Sequence, residues 1–105
     1  MSVYSANLFT GDAPTSTTLV YTSPSGIVTV VRDLQVFNGN TNSASLYVYS
    51  NVSGSNLVFA GITGLAANAF FQWTGRAVIP PGNTLSIFGG VTSIAVMMSG
   101  YQLGA

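Results

Sequence analysis

Short runs of β-branched and aromatic residues extend along the whole 105-residue chain, each cut off within about a dozen positions by Gly, Pro, Asn or Ser. Helical periodicity is weak throughout. The pattern predicts strands near Val3–Phe9, Thr18–Thr22, Ile27–Asn38, Ser45–Val52, Asn56–Ile62, Ala69–Thr74, Leu85–Phe88 and Thr92–Leu103. The turns between them have local causes. Ser23-Pro24-Ser25-Gly26 and Pro80-Pro81-Gly82-Asn83 use proline to set φ and glycine to accept φ above zero. Asn38-Gly39-Asn40 and Ser53-Gly54-Ser55 suit hairpin connections. A chain of 10.8 kDa is too short for two domains. Residues 1–105 therefore read as one all-β domain, an antiparallel β-sandwich of about eight strands, jelly-roll-like.

Alternation along the strands assigns faces. In the third strand Val28, Val30, Leu34 and Val36 share one face, with Arg32 in phase with them; Thr29, Val31, Asp33, Gln35 and Phe37 share the other. In the fourth, Leu46 and Val48 point to the core, Tyr47 and Tyr49 away from it. Leu85 and Ile87 form a short core row. In the last strand Ile94, Val96 and Met98 oppose Ala95, Met97 and Tyr101, which makes Met98 a core residue and Met97 a surface one. Several strands thus carry apolar or aromatic groups on both faces, whereas the outer face of a solvated sheet is ordinarily polar. Burial of both faces is the simplest explanation.

Charge points the same way. A soluble domain is about 25% charged, so this length would ordinarily carry roughly 26 charged side chains. It carries Asp12, Arg32, Asp33 and Arg76, with no Lys, Glu, His or Cys and a formal net charge of zero. Its polar coat must come from 13 Ser, 11 Thr, and the Asn and Gly residues. Charge-poor surfaces near neutrality tend to associate. The missing residue types also exclude chemistry. There is no thiolate or imidazole to act as nucleophile, base or zinc ligand, so no metal is expected. Both carboxylates would have to be recruited for glycoside hydrolysis. Phosphate-cradling glycine motifs are absent, so no catalytic residue and no cofactor is expected. Two arginines cannot neutralise the roughly 6–10 phosphates of a nucleic-acid site. The best apolar window, Leu57 to Phe71, is broken by Gly61, Thr63, Gly64 and Asn68, short of a membrane-spanning helix. Met1-Ser2-Val3-Tyr4-Ser5 lacks the basic and apolar regions of a cleaved signal peptide.

The candidate interface residues are Tyr47, Tyr49, Phe37, Arg32 and Asp33. Together with Trp73 the three other aromatics would make a patch of the kind that anchors protein contacts. A core place beside Phe70 and Phe71 is the competing reading for Trp73. Arg32, in phase with a core row, needs either a paired aspartate that fixes register or a bulge that re-aims it. Arg76, after Gly75, reads as an exposed residue at a corner. Trp73 and Tyr47 would alternatively serve as a platform for sugar rings.

Three segments carry a family resemblance: Leu19-Val20-Tyr21-Thr22-Ser23-Pro24-Ser25-Gly26, Val30-Val31-Arg32-Asp33-Leu34-Gln35-Val36-Phe37-Asn38, and Ile79-Pro80-Pro81-Gly82-Asn83-Thr84-Leu85-Ser86-Ile87 with Val96-Met97-Met98-Ser99-Gly100-Tyr101. Together they resemble small β-sandwich virion structural proteins of tailed bacteriophages, of the minor tail, collar or head-decoration type. The resemblance implies a non-enzymatic protein, made in the host cytoplasm and carried in the virion. It implies self-association, as a ring or trimer, and docking on other virion proteins, with no nucleic acid or membrane as partner. The alternative is a carbohydrate-binding adhesin at a virion surface.

Overall fold

The computed structural model describes the backbone of residues 3–52 and 55–104, and the side chains of residues 7–51 and 58–104. Eight strands are present among them: β1 (Val3–Asp12), β2 (Thr18–Thr22), β3 (Ile27–Asn38), β4 (Ala44–Val52), β5 (Ser55–Leu65), β6 (Phe70–Ile79), β7 (Thr84–Gly89) and β8 (Ile94–Gly104). They form two four-stranded antiparallel sheets, in the orders β1-β8-β3-β6 and β2-β7-β4-β5. The first and last strands pair, then β2 with β7, β3 with β6, and β4 with β5. This is a long hairpin rolled up on itself, with successive pairs placed in alternate sheets. It is the jelly roll, in which each sheet covers the apolar face of the other.

The tip of that hairpin is the β4–β5 connection, where Val52 pairs with Ser55. Ser53 and Gly54, assigned to a turn from the sequence, lie outside the described residues. Every other connection crosses between sheets. Asn38-Gly39-Asn40 is therefore not a hairpin turn: it carries the chain from β3 in one sheet to β4 in the other. The two proline–glycine turns form as expected, with Gly26 and Gly82 at positive φ. The N–H of Ile27 bonds the Pro24 carbonyl and that of Asn83 the Pro80 carbonyl. Both are turns with glycine at the position that requires φ above zero. They also lock each other, the Ser23 N–H donating to Asn83 and the Gly82 N–H to Ser23, at 2.9 Å each.

The core lies between the sheets. Leu34, Val36, Ile94, Val96 and Met98 from one sheet meet Leu46, Val48, Ala60, Leu85 and Ile87 from the other, all buried. The alternation in β4, β7 and β8 is as read from the sequence: Leu46, Val48, Leu85, Ile87, Ile94, Val96 and Met98 face in, while Met97 is exposed.

In β3 the assignment is corrected. The register of β3 slips between Val31 and Asp33: against β8 Arg32 is the extra residue of a β-bulge, whereas against β6 the extra residue is on β6, where Gly75 and Arg76 together oppose Arg32. The bulge reverses the phase. Beyond it Leu34 and Val36 face the core as expected; before it the inward residues are Thr29 and Val31, and Val28 and Val30 lie on the outer side. Arg32 thereby leaves the core row and is exposed. A Cβ on Gly100, which pairs with Val31, would overlap the Val30 carbonyl oxygen, so glycine is what lets the strands approach at this irregularity.

Two polar networks close the ends of the sandwich. At one end Ser23 Oγ donates 2.7 Å to the Ile27 carbonyl and lies 2.9 Å from Thr29 Oγ1. Thr29 in turn sits 2.7 Å from the Tyr21 hydroxyl, which accepts 2.8 Å from Gln102 Nε2. At the other, buried Asn38 donates from Nδ2 to the carbonyls of Asn42 and Leu65 and accepts from the Asn40 N–H, each at 2.9 Å. No buried side-chain nitrogen or oxygen among the described residues lacks a partner. No helix long and apolar enough to cross a membrane occurs among them.

Candidate functional site

The outer faces of the two sheets are the surfaces through which this fold can act. On sheet β2-β7-β4-β5, alternation turns Tyr47 and Tyr49 outward, with their rings 6.4 Å apart. Phe88 pairs with Tyr47 across β7 and lies on the same face. The Tyr47 ring lies over Gly61 on β5, where a Cβ would come within 2.7 Å of it. An aromatic ring covering a cross-strand glycine shields backbone that would otherwise be bare. Both tyrosines are half-buried by such contacts.

The outer face of sheet β1-β8-β3-β6 is organised in three bands along the strands. One band is the row Asp12–Ala95–Phe37–Phe70, continued by Met97. It forms an open depression of about 300 Å³, lined by Phe37, Phe70, Ala95 and Met97 with Asp12 and Thr10 at its rim. The Phe37 and Phe70 rings pack at a tilt of 45° with centroids 4.7 Å apart, and Phe70 is 79% exposed. The middle band is polar: Gln35, Asp33 and Gln72, with Ser99 and Thr74 beside Asp33. Asp33 accepts 3.2 Å from Gln35 Nε2 and 3.1 Å from Gln72 Nε2. The third band is apolar again, with Val28, Val30, Val78 and Tyr101 in register.

Between the second and third bands sit both cations of the chain. Val31 pairs with Ala77 and Asp33 with Thr74, so Arg32 lies opposite Gly75 and Arg76. Arg76 is exposed, as expected, but it is inside β6 and not at a corner, because β6 continues to Ile79. The Arg–Asp contact considered for Arg32 is not made: neither arginine, nor Asp12, has a hydrogen-bond or ion-pair partner among the described residues.

The aromatic residues singled out from the sequence are not one patch. Tyr47 and Tyr49 lie on one outer face, and Phe37 lies on the opposite one with Asp33. Trp73 points inward and is half-buried, edge-on to Phe59 of the other sheet at 5.3 Å. Trp73 and Tyr47 share no platform. Phe70 and Asp12 were missed. Phe70 was legible in principle, since adjacent Phe70 and Phe71 within a strand must face opposite ways. Asp12 gave no signal until β1 proved to extend to it.

No family model matches the chain, and no curated protein does. Among solved structures it is similar to one described as "Structure of infectious bursal disease virus Gt strain", with a TM-score of 0.47 and 13% identity over 96% of this chain. The chain spans about a third of that chain's length, 32%. The jelly-roll assignment rests on the strand order itself.

Proposed function

We propose that this protein is a non-enzymatic structural component of a virus particle, a phage head-decoration, collar or tail element, that associates with itself and docks on a larger assembly. Jelly rolls serve viral shells and lectins alike, so the fold alone does not choose between functions. The surfaces do. The observation that carries the reading is the exposure of apolar side chains on both outer faces of a chain with only four charges: Phe70, Met97 and Val78 on one, Leu19 and Val58 on the other. Phe70 with Phe37 and Met97 forms a contiguous apolar patch on the first face, and such patches mark interaction surfaces. Closed assembly would remove them from water and would protect the long uncharged edge strand β5 from pairing with strangers.

The test is the solution mass of the purified chain by light scattering over a concentration series. A discrete multiple of 10.8 kDa that survives dilution supports obligate self-association. A stable monomer at every concentration would overturn it, and a different particle protein would then have to cover these faces.

A further inference from the structure

We infer that self-association runs through the outer face of sheet β1-β8-β3-β6, with the partner a second copy of this chain, and that Asp12 of each copy pairs with Arg32 and Arg76 of the other. The inference rests on the self-association proposed above and adds the surface and the pairing.

Three observations carry it. The first is charge complementarity. Asp33 is already engaged by Gln35 and Gln72. Each chain is left with one side-chain carboxylate, Asp12, and two guanidiniums, Arg32 and Arg76, unpartnered among the described residues. All three open onto this same face. A cluster of Arg32, Arg76 and Asp33 from one copy with Asp12 from the other is electrically neutral. Two such clusters consume every charged side chain of both copies.

The second is geometry. Asp12 belongs to the row that ends at Phe37 and Phe70, while the arginines lie about five residues further along β3 and two to three strands across. At about 3.3 Å per residue and 4.8 Å per strand the two sites are roughly 20 Å apart on a diagonal. A two-fold axis in the contact plane, crossing that diagonal at right angles at its midpoint, exchanges them. The Asp12–arginine contact is then made twice, as an isologous interface requires. The axis passes beside Met97 and Phe70, and the strands of the two faces cross at roughly 70°, nearer the orthogonal than the aligned mode of sheet packing.

The third is area and exposure. Four strands of about ten residues present a face of about 600 Å² in projection. A copy crossed at that angle covers about 400 Å² of it, which places the contact among the smaller interfaces. The most exposed large apolar residue, Phe70, lies on it, and Met97 and Val78 are about half exposed. On the opposite sheet Tyr47 and Tyr49 are already half covered by their own neighbours.

The experiment is a charge swap read by sedimentation equilibrium. Asp12→Arg and the double variant Arg32→Asp/Arg76→Asp each place like charges at both clusters, and each should dissociate at least tenfold more readily than wild type. An equimolar mixture of the two variants restores opposite charges at both clusters and should re-form the wild-type dimer mass. Far-UV circular dichroism and thermal melts check that each variant folds, which these exposed positions permit. A wild-type mass retained by either variant alone overturns the inference, as does a mixture that behaves as the sum of its parts, while the proposed self-association stands. A monomeric wild type overturns both.

Discussion

Replacing Asn38 with leucine tests whether one buried amide holds the loop end of the sandwich together. The side chain is fully buried and makes three hydrogen bonds of 2.9 Å, to the carbonyls of Asn42 and Leu65 and from the Asn40 N–H. Leucine keeps the same branched outline with bulkier methyl ends and makes none of them. The Leu65 carbonyl then loses its partner in a dry setting, at about 1–3 kcal/mol; the two part-buried groups, which water reaches, cost about 0.5–1 kcal/mol each. Extra apolar burial returns about 1 kcal/mol. The net loss is about 2.5 kcal/mol, a fall in Tm of about 10–20 °C for a domain of this size. Urea unfolding followed by Trp73 fluorescence measures it, because Trp73 packs on Phe59 of the opposite sheet and reports separation of the two. Protein concentration is held constant, since any association adds to apparent stability. A loss under about 0.5 kcal/mol at unchanged slope would refute the reasoning, because a buried amide with three hydrogen bonds, one of them fully buried, cannot be so cheaply replaced.

Asn38→Asp puts a carboxylate against the Asn42 and Leu65 carbonyls, which raises its pKa above the unfolded value; the stability lost at neutral pH should therefore return as pH falls through the folded pKa, and a pH series of melts reads it. Tyr21→Phe removes the hydroxyl shared by Thr29 and Gln102 and should cost about 1–2 kcal/mol. A thermal double-mutant cycle with Gln102→Leu should give a combined loss smaller than the sum of the singles. Gly100→Ala forces a methyl group onto the Val30 carbonyl, a backbone atom that cannot rotate away, and should cost about 3 kcal/mol in chemical denaturation.

The strands themselves were legible because β-branched runs and proline–glycine turns act locally. In β4, β7 and β8 the faces were legible too, since each strand keeps a single phase across its core row. β3 was not. Within Val30-Val31-Arg32-Asp33-Leu34 either phase gives an apolar row, and nothing local marks Arg32 as the extra residue. That choice is made across the ladder, by Gly100 on β8 and by the Gly75–Arg76 step on β6. Asn38 read as a turn former because asparagine is common in turns. Its role as a buried clamp exists only once loops around residues 42, 65 and 68 converge on it. The interface residues suffered the same limit. Tyr47, Tyr49 and Phe37 do point outward, as alternation says, but alternation cannot tell which sheet a strand joins.

By itself the sequence determined the all-β class, the approximate strands, the apolar rows of the regular strands and the near absence of charge. These follow from backbone sterics, turn chemistry and composition, which act over a few residues or over none in particular. The tertiary structure alone decided that the strands roll into the order β1-β8-β3-β6 and β2-β7-β4-β5, that a bulge lifts Arg32 out of the core row, and that Arg32 lies opposite Gly75 and Arg76. Those outcomes depend on pairings between strands far apart in the chain, where register and sheet membership are set by the partner.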